Sequence, residues 1–290
     1  MPKNFSKRGN VRFDLPVSAM EKWNPAIRAA ESGSNDIGIF DVIGEGYWNE
    51  GVTASSISSA LKRIGADKPV TVNINSPGGD MFEGLAIYNL LKEHKGEVTV
   101  KVVGLAASAA SIIAMAGDSV EIARAGFLMI HNAWLIAAGN RHELKDIAEW
   151  LEPFDRAMGS VYEARTGLDS AEIESMMDSE TWLGGKDAIE QGFADEFLPS
   201  DQIEEDAKAS GQRLAAHQID LVLAKAGIPR SERRKLLNDI KPGTHDAAGA
   251  GTHDAAGVDT LRAIEKKKTD GSALELLFNS IPKAGGKNGI

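Results

Sequence analysis

The sequence predicts an α/β domain with a largely parallel sheet between residue 35 and about residue 199. Two observations predict this fold class. β-branched runs alternate with segments whose apolar residues recur every three or four positions, and the order is strand, helix, strand, helix, strand. Strands separated by helices pair in parallel through right-handed crossovers, and open sheets of this kind carry their sites beyond the carboxyl ends of the strands. We therefore expect the chemistry of this protein at strand ends.

The first elements follow in order along the chain. Residues 37–43 form the first predicted strand, and residues 53–64 form a helix that Thr53 or Ser56 opens. Residues 70–74 form the second strand.

The next helix and strand complete the repeating pattern. In the helix, four apolar residues share one face: Phe82, Leu85, Ala86 and Leu90. Gly96 stands where a left-handed cap would end this helix. The third strand is indicated by alternating valines: Val98, Val100 and Val102.

Composition excludes several classes of function. The chain of 290 residues has no cysteine, which excludes disulfides, thiol nucleophiles and cysteine-ligated metals. Its formal net charge is −10 and no basic face is concentrated in the sequence, so we expect no nucleic-acid partner. No apolar run approaches the roughly 18 residues of a membrane span, and residues 1–13 are basic without an apolar stretch. These patterns favour a cytoplasmic protein with no membrane partner, and no motif indicates a cofactor or a metal site.

Three predicted strand ends carry groups suited to acyl transfer. The second strand ends at Pro77-Gly78-Gly79, the third leads through Gly104 and small residues to Ser108, and the run Gly126–Ile130 delivers His131. A diglycine turn frees backbone N–H groups, a serine supplies a nucleophile, and a histidine supplies a base. Together they predict a serine hydrolase.

Ser108 also has a structural interpretation. It is flanked on both sides by alanines, and small residues at that position allow a helix to pack closely while the serine only caps its first turn. Ser111, one turn further on, is a second candidate nucleophile, although its hydroxyl is expected to bond to a backbone carbonyl.

His131 is selected by context and by elimination. His94 and His142 lie among charged residues, and the remaining histidines lie in the last third of the chain. A lone histidine at a strand end is more often a packed residue, and a diglycine is often only a tight turn. The joint occurrence of the three features favours the catalytic interpretation.

These segments resemble the ClpP-like serine peptidases, the Clp protease proteolytic subunit family, in the form that tailed bacteriophages use as prohead or head maturation proteases. Four stretches carry the resemblance, which covers residues 35–198: Asn73–Asp80, Gly104–Gly117, Met129–Asn132, and Thr166–Asp195. The resemblance implies a ClpP/crotonase-like fold with repeated β-β-α units. It also implies Ser108 as nucleophile, His131 as general base and then acid, and the N–H groups of Gly79 and Ala109 as the oxyanion hole.

The third member of the implied triad is open between two carboxylates. An ungapped register places Glu180 where the cellular enzymes carry aspartate, and Asp178 lies two residues away. Either carboxylate could orient the imidazole, although the longer glutamate needs its backbone set further back. A structural role as a cap before Trp182 is the alternative for both. Register favours Glu180.

A long helix is predicted over residues 140–165. Its apolar residues recur three or four apart: Leu144, Ile147, Trp150, Leu151, Phe154, Met158 and Tyr162. The face is compatible with ordinary core packing or with the protruding handle that stacks subunit rings in the resembled family. We expect a homo-oligomer, and the resemblance implies stacked rings.

The sequence pattern changes near Ser200. We expect a leader over residues 1–34, a peptidase domain over residues 35–200, and a helical or flexible extension without strands over residues 201–290. The extension contains helices at 204–226 and from Ser231, a GTHDAAG repeat typical of a flexible linker within residues 243–257, and an apolar cluster over residues 274–281.

Three functions compete at this stage. The first is an ATP-independent endopeptidase of phage head maturation, which cleaves scaffold and capsid proteins in the bacterial host cytoplasm or inside the prohead. The second is a peptidase subunit that works with an ATP-dependent unfoldase. The third is a non-catalytic assembly protein that retains the fold, against which an intact Ser108, His131 and Gly79 argue.

Overall fold

The computed structural model describes residues 11–13, 15–29, 33–44, 51–199, 203–205 and 210–240. Its strands are β1 (Val11–Phe13), β2 (Ile27–Ala29), β3 (Asp36–Ile39), β4 (Val70–Ser76), β5 (Val98–Ala107), β6 (Ser119–Ile122), β7 (Phe127–Ile130), β8 (Leu135–Ala137), β9 (Thr181–Gly184), β10 (Glu196–Phe197) and β11 (Ile203–Glu205). Its helices are α1 (Val17–Lys22), α2 (Ala54–Ile64), α3 (Met81–Lys92), α4 (Ala109–Ala114), α5 (Arg141–Thr166), α6 (Ser170–Asp178), α7 (Gly185–Glu190), α8 (Ser210–Lys225) and α9 (Arg230–Ile240).

The central sheet has seven strands within the described part of the chain. Five of them run in the order β10-β6-β5-β4-β3, with every neighbouring pair parallel. The long strand β5 pairs with β6 along its first half and with β7 near its end, and β9 adds antiparallel to β7. The predicted α/β class is confirmed, and the carboxyl ends of β4, β5 and β7 meet at one edge of the sheet.

The core lies mainly between this sheet and helices α2 to α6. Alternate residues of β4 and β5 contribute to it, including Val72, Ile74, Val100 and Val102, none of which is exposed to solvent. The helix predicted at residues 53–64 is confirmed as α2, and Thr53 caps it by accepting a hydrogen bond from the N–H of Ser56.

The leader covers the opposite face of the sheet near the site. Trp23 follows α1, packs with Ala107 and Met129, and donates a hydrogen bond from Nε1 to the carbonyl oxygen of Asn75 at 3.0 Å. The buried side chain of Asn75 donates to the carbonyl of Asn24 at 2.7 Å. Asn75 of β4 therefore joins the leader to the sheet through its carbonyl oxygen and its side chain.

Several local expectations differ from the structure. The first strand ends at Ile39, because the chain then turns and only Ile43 makes isolated bridges with Val52 and Gly79. Gly96 does not cap α3, which ends at Lys92 and is capped by Glu93.

The buried face of α3 also differs from the apolar face predicted for it. The residues buried there are Met81, Gly84, Ile87 and Leu91, whereas Phe82 is 48% exposed. The reason is that α3 lies against α4 through Gly84, where a Cβ atom would come within 2.9 Å of the Ala109 Cβ. This close approach sets which side of α3 faces inward.

The chain beyond Ser200 contains a strand, which the sequence pattern did not predict. β11 pairs antiparallel with β2 of the leader, and α8 begins at Ser210, later than expected. In α8, Leu221 packs on the leader residue Met20, and the His217 ring meets the Trp23 ring edge-on at 5.1 Å. The described residues as far as Asp239 form one compact unit by their contacts.

The domain boundary near Ser200 stays a prediction, and the GTHDAAG repeat and the cluster at 274–281 lie outside the described residues. Within the described residues, no helix is both long enough and apolar enough to cross a membrane.

The long helix predicted at residues 140–165 is confirmed as α5, which Asn140 caps with a reciprocal capping box to Glu143. Its second half is buried at Met158 and Tyr162, whereas Leu144 in its first half is 43% exposed. Ile147 in the first half is also buried, so the apolar face is partly covered in both halves, although only the second half contributes buried residues to the main core. Assembly into a homo-oligomer stays a prediction.

Candidate active site

Ser108 occupies a sharp turn between β5 and α4. Its backbone has φ 55° and ψ −125°, a conformation that costs a non-glycine residue of the order of 1–3 kcal/mol and is found mostly at functional sites. The N–H of Ser108 donates to the carbonyl oxygen of Met129 at 2.9 Å, which ties the turn to β7. The surrounding alanines pack α4 tightly and leave the hydroxyl accessible, but the expectation that Ser108 only caps the helix is wrong, because its side chain makes no capping hydrogen bond and meets His131 instead.

Ser111 supports this turn from below. Its side chain is fully buried, its Oγ donates to the carbonyl oxygen of Ser108 at 2.6 Å, and it shares a second hydrogen bond with the hydroxyl of Tyr162 at 2.8 Å. The expectation that Ser111 bonds to a backbone carbonyl is confirmed. Burial raises the pKa of Tyr162, which keeps its hydroxyl protonated and able to donate.

His131 lies directly after β7 and reaches the serine. Its Nε2 is 2.7 Å from the Oγ of Ser108. Burial lowers the pKa of His131 to about 4, and the negative charge of Glu180 acts in the opposite direction. The ring is therefore neutral near pH 7. If Ser108 donates to Nε2, the neutral ring carries its own proton on Nδ1, which is the state of a general base.

The diglycine turn lies beside the nucleophile. Ile43 donates its N–H to the carbonyl of Gly78 at 2.8 Å and accepts the N–H of Asp80 at 3.0 Å, so the N–H of Gly79 between them points away from Ile43. Within the described residues, the N–H groups of Gly79 and Ala109 have no hydrogen-bond acceptor. The residue Ala109 is the first of α4, where a backbone N–H has no partner in its own helix.

Close contacts explain why this turn needs glycine. Gly78 has φ 93°, and a Cβ atom there would lie 2.7 Å from the Cβ of Ser108. At Gly79, the same atom would lie 2.1 Å from the carbonyl oxygen of Ile43. Both distances are too short for any side chain, so the diglycine permits the approach of the turn to Ser108.

The two candidate acids have different partners. Asp178 accepts a hydrogen bond from Nδ2 of Asn132 at 2.7 Å, one residue beyond the histidine. Glu180 accepts one from Nε1 of Trp182 at 3.2 Å, and its charge acts on His131. No hydrogen bond joins His131 to either carboxylate among the described residues. Glu180 also has a positive φ of 48°, the second such non-glycine residue after Ser108.

The cleft above Ser108 includes residues that sequence analysis did not assign to the site. Four side chains line it besides those already described: Met81 from α3, Met158 from α5, and Ala133 and Trp134 after His131. The long helix was predicted, but Met158 was assigned only to its apolar face. No local signal could have found these residues, because the fold brings them together from distant parts of the chain.

The chain matches the family model described as Clp protease over residues 49–201, which is more than half of its length. It is 30% identical to the ATP-dependent Clp protease proteolytic subunit 1 of Protochlamydia amoebophila over 164 residues, which are 53% of this chain and 80% of that protein. The chain belongs to the Clp protease family.

Other similar proteins carry related names. The chain is 26% identical to the proteolytic subunit 1 of Salinibacter ruber over 48% of its length and 33% identical to the proteolytic subunit of Chlorella vulgaris over 45%. These matches span 60% and 66% of the two relatives, less than two thirds of their length. Among solved structures, a ClpP1 mutant from Listeria monocytogenes aligns with a TM-score of 0.49 and 24% identity over 58% of this chain and 92% of that one.

The depressed pKa of His131 can be tested by NMR titration of its ring. We expect the ring to stay neutral at pH 6.5 and to titrate near pH 4, and Glu180→Gln to lower the pKa further because it removes the charge that favours the imidazolium. The unfolded chain takes up this proton at about pH 6.5, so stability is lost as the pH falls from there towards 4.

Glu190→Gln is the matched control, since Glu190 is exposed on α7 and pairs with Lys186. A His131 pKa at or above 6.5, or one that Glu180→Gln and Glu190→Gln leave equally unchanged, would contradict this account.

Proposed function

We propose that this chain is a serine endopeptidase in which Ser108 is the nucleophile and His131 the general base. The observation that carries the proposal is the 2.7 Å contact between Ser108 Oγ and His131 Nε2, made on a strained turn beside two N–H groups without acceptors. Family membership supports the same reaction class.

Acylation follows from this geometry. Ser108 Oγ attacks the carbonyl carbon of a peptide while His131 Nε2 takes the hydroxyl proton, and the carbonyl electrons move onto oxygen. The N–H groups of Gly79 and Ala109 donate to this oxyanion. Collapse restores the carbonyl, breaks the C–N bond and transfers the proton from Nε2 to the leaving amine.

Deacylation uses the same groups. His131 removes a proton from a water molecule that attacks the acyl ester, and it then returns this proton to Ser108 Oγ as the acid product leaves. The imidazolium forms in both steps, and Glu180 stabilises it through its negative charge. Burial alone would make that cation costly, which is the physical reason for an acid near His131.

The lining of the cleft favours an apolar substrate side chain beside the scissile bond. Met81, Met158 and Trp134 line it, and no Asp, Glu, Lys or Arg is among the described residues that do. Unbranched methionines adapt their shape to different apolar groups. We infer that the site prefers substrates with an apolar side chain beside the scissile bond and accepts side chains of moderately different shape.

The nucleophile is tested with a fluorophosphonate probe. We expect labelling at Ser108, and we expect Ser108→Ala to abolish labelling and peptide cleavage without loss of the fold. Ser111→Ala is the matched control and should still label, since Ser111 is buried beneath the turn. Labelling that survives in Ser108→Ala and disappears in Ser111→Ala would reassign the nucleophile, and an unlabelled wild type would favour the non-catalytic hypothesis.

The acid is tested by comparing two carboxylate substitutions. We expect Glu180→Gln to lower turnover severely, by roughly 10⁴ if it behaves as the acid of a well-studied triad. Asp178→Asn should remain mostly active, because Asp178 bonds to Asn132 and the charge that acts on His131 is that of Glu180. The reverse ranking would transfer the role to Asp178, and two active variants would indicate a dyad.

For the biological role we propose ATP-independent head maturation, in which scaffold and capsid proteins are the substrates. This proposal rests on the resemblance to phage enzymes and on the extension beyond residue 200. The alternative is a subunit that works with an ATP-dependent unfoldase, which the names of the relatives favour. The two roles differ in whether folded substrates are cleaved without ATP.

The roles are separated by incubating the purified chain with assembled scaffold–capsid particles in the absence of ATP. Head maturation predicts cleavage by wild type and none by Ser108→Ala. Intact particles, together with cleavage of folded proteins only when an unfoldase and ATP are added, would establish the alternative. Portal and capsid genes beside this gene, or unfoldase genes instead, would give independent support to one role.

A further inference from the structure

The segment after His131 is held by carboxylates from two helices. Asp155, in the middle of α5, accepts the backbone N–H of Ala133 at 2.6 Å, and Asp178, the last residue of α6, accepts Nδ2 of Asn132 at 2.7 Å. Between the end of β7 at Ile130 and the start of β8, the chain has no strand partner among the residues that the structure describes. These two contacts therefore take the place of a sheet ladder next to the imidazole.

The two contacts differ in how firmly they can hold. Asp178 and the Asn132 side chain are exposed at their hydrogen bond, and that contact reaches only a flexible side chain. The contact of Asp155 is part-buried and reaches the backbone itself. A backbone anchor two residues after His131 restricts the position of the histidine more directly.

The helix that carries Asp155 also supports the nucleophile. Met158 and Tyr162 follow Asp155 by three and seven positions, so the three residues share one face of α5. Met158 lines the cleft, and the hydroxyl of Tyr162 bonds to Ser111, whose Oγ donates to the carbonyl of Ser108. A single helix face thus contacts the segments of both the proposed base and the proposed nucleophile.

The environment of Asp155 does not favour a carboxylate. Burial raises its pKa, and the nearby charges of Asp178 and Glu152 act in the same direction, whereas the Ala133 N–H and the charge of Arg156 oppose them. Within the described residues, the N–H of Ala133 is the one hydrogen-bond donor to the Asp155 side chain. An acid kept in such a place, with one backbone partner beside the site, is typical of a functional constraint rather than of surface solvation.

We propose that Asp155 is a positioning residue for the acyl transfer inferred above. Its carboxylate holds the N–H of Ala133 and keeps His131 Nε2 within hydrogen-bonding distance of Ser108 Oγ, while Tyr162 on the same helix face holds the nucleophile turn. This inference rests on the proposed function, because it assigns Asp155 no contact with substrate.

Three variants test the proposal on a peptide substrate. Asp155→Ala removes the acceptor, Asp155→Asn keeps an acceptor oxygen without the charge, and Glu149→Ala is a matched control on the exposed side of α5, where Glu149 pairs with Lys145. We expect Asp155→Ala to lower kcat about 10- to 100-fold, as small displacements of catalytic groups do, with KM changed by less than about threefold. Asp155→Asn should stay within about threefold of wild type in kcat because the acceptor is retained.

A second measurement follows the anchor without using activity. Hydrogen exchange at the Ala133 amide should become faster in Asp155→Ala and stay near wild type in Asp155→Asn and Glu149→Ala. Melting temperatures of all four proteins separate a positioning effect from general destabilisation. A loss of kcat with KM retained and with rescue by asparagine supports the proposal.

Several outcomes would reject it. An Asp155→Ala variant that melts at a lower temperature but keeps the kcat of the Glu149→Ala control has lost only a structural contact. Equal losses in the alanine and asparagine variants would exclude the acceptor role. If wild type itself neither labels with fluorophosphonate nor cleaves peptides, the proposed function fails and the positioning role with it, whereas an active wild type beside an unaffected Asp155→Ala rejects the positioning role alone.

Discussion

The backbone of Ser108 is held in a conformation that an isolated serine would avoid, and most of the site depends on that turn. The cost is of the order of 1–3 kcal/mol, and it is offset by two hydrogen bonds of about 1 kcal/mol each, the Ser108 N–H to Met129 and Ser111 Oγ to the Ser108 carbonyl. Because Met129 belongs to the strand that ends next to His131, the bond that holds the nucleophile also aligns it with the proposed base.

The turn restricts the residues around it. A Cβ atom at Gly78 would lie 2.7 Å from the Cβ of Ser108, and one at Gly84 on α3 would lie 2.9 Å from the Cβ of Ala109, so neither position has space for a side chain. The diglycine therefore has two roles at once: its close approach completes the packing beside Ser108, and it leaves the N–H of Gly79 without an acceptor. Both the packing and the proposed catalysis therefore require glycine at these two positions.

Parts of the chain outside the α/β pattern also support the site. Trp23 of the leader packs on Ala107, which precedes Ser108, and on Met129, whose carbonyl accepts the Ser108 N–H. Lys22 lies 3.6 Å over the ring of Trp182. The indole Nε1 of Trp182 in turn donates to Glu180. A route of direct contacts thus runs from the leader to the carboxylate whose charge acts on His131, and α8 packs behind the same leader.

The sequence by itself determined the strands β4, β5 and β7, the helices α2 and α5, and the placement of Ser108, His131 and Gly79 at neighbouring strand ends, because these depend on local periodicity and on the rule that parallel strands end at one edge. It did not determine the strand β11 or which face of α3 is buried, since these depend on contacts with distant residues. Only the tertiary structure gave Glu180 and Asp178, which are two residues apart and chemically alike, their different partners Trp182 and Asn132, and the choice of acid between them stays a prediction. The tertiary structure alone placed Asp155 and Met158 at the site, because the fold sets α5 against the segment after His131. In the sequence, the spacing of these two residues is that of any residues on one face of a helix.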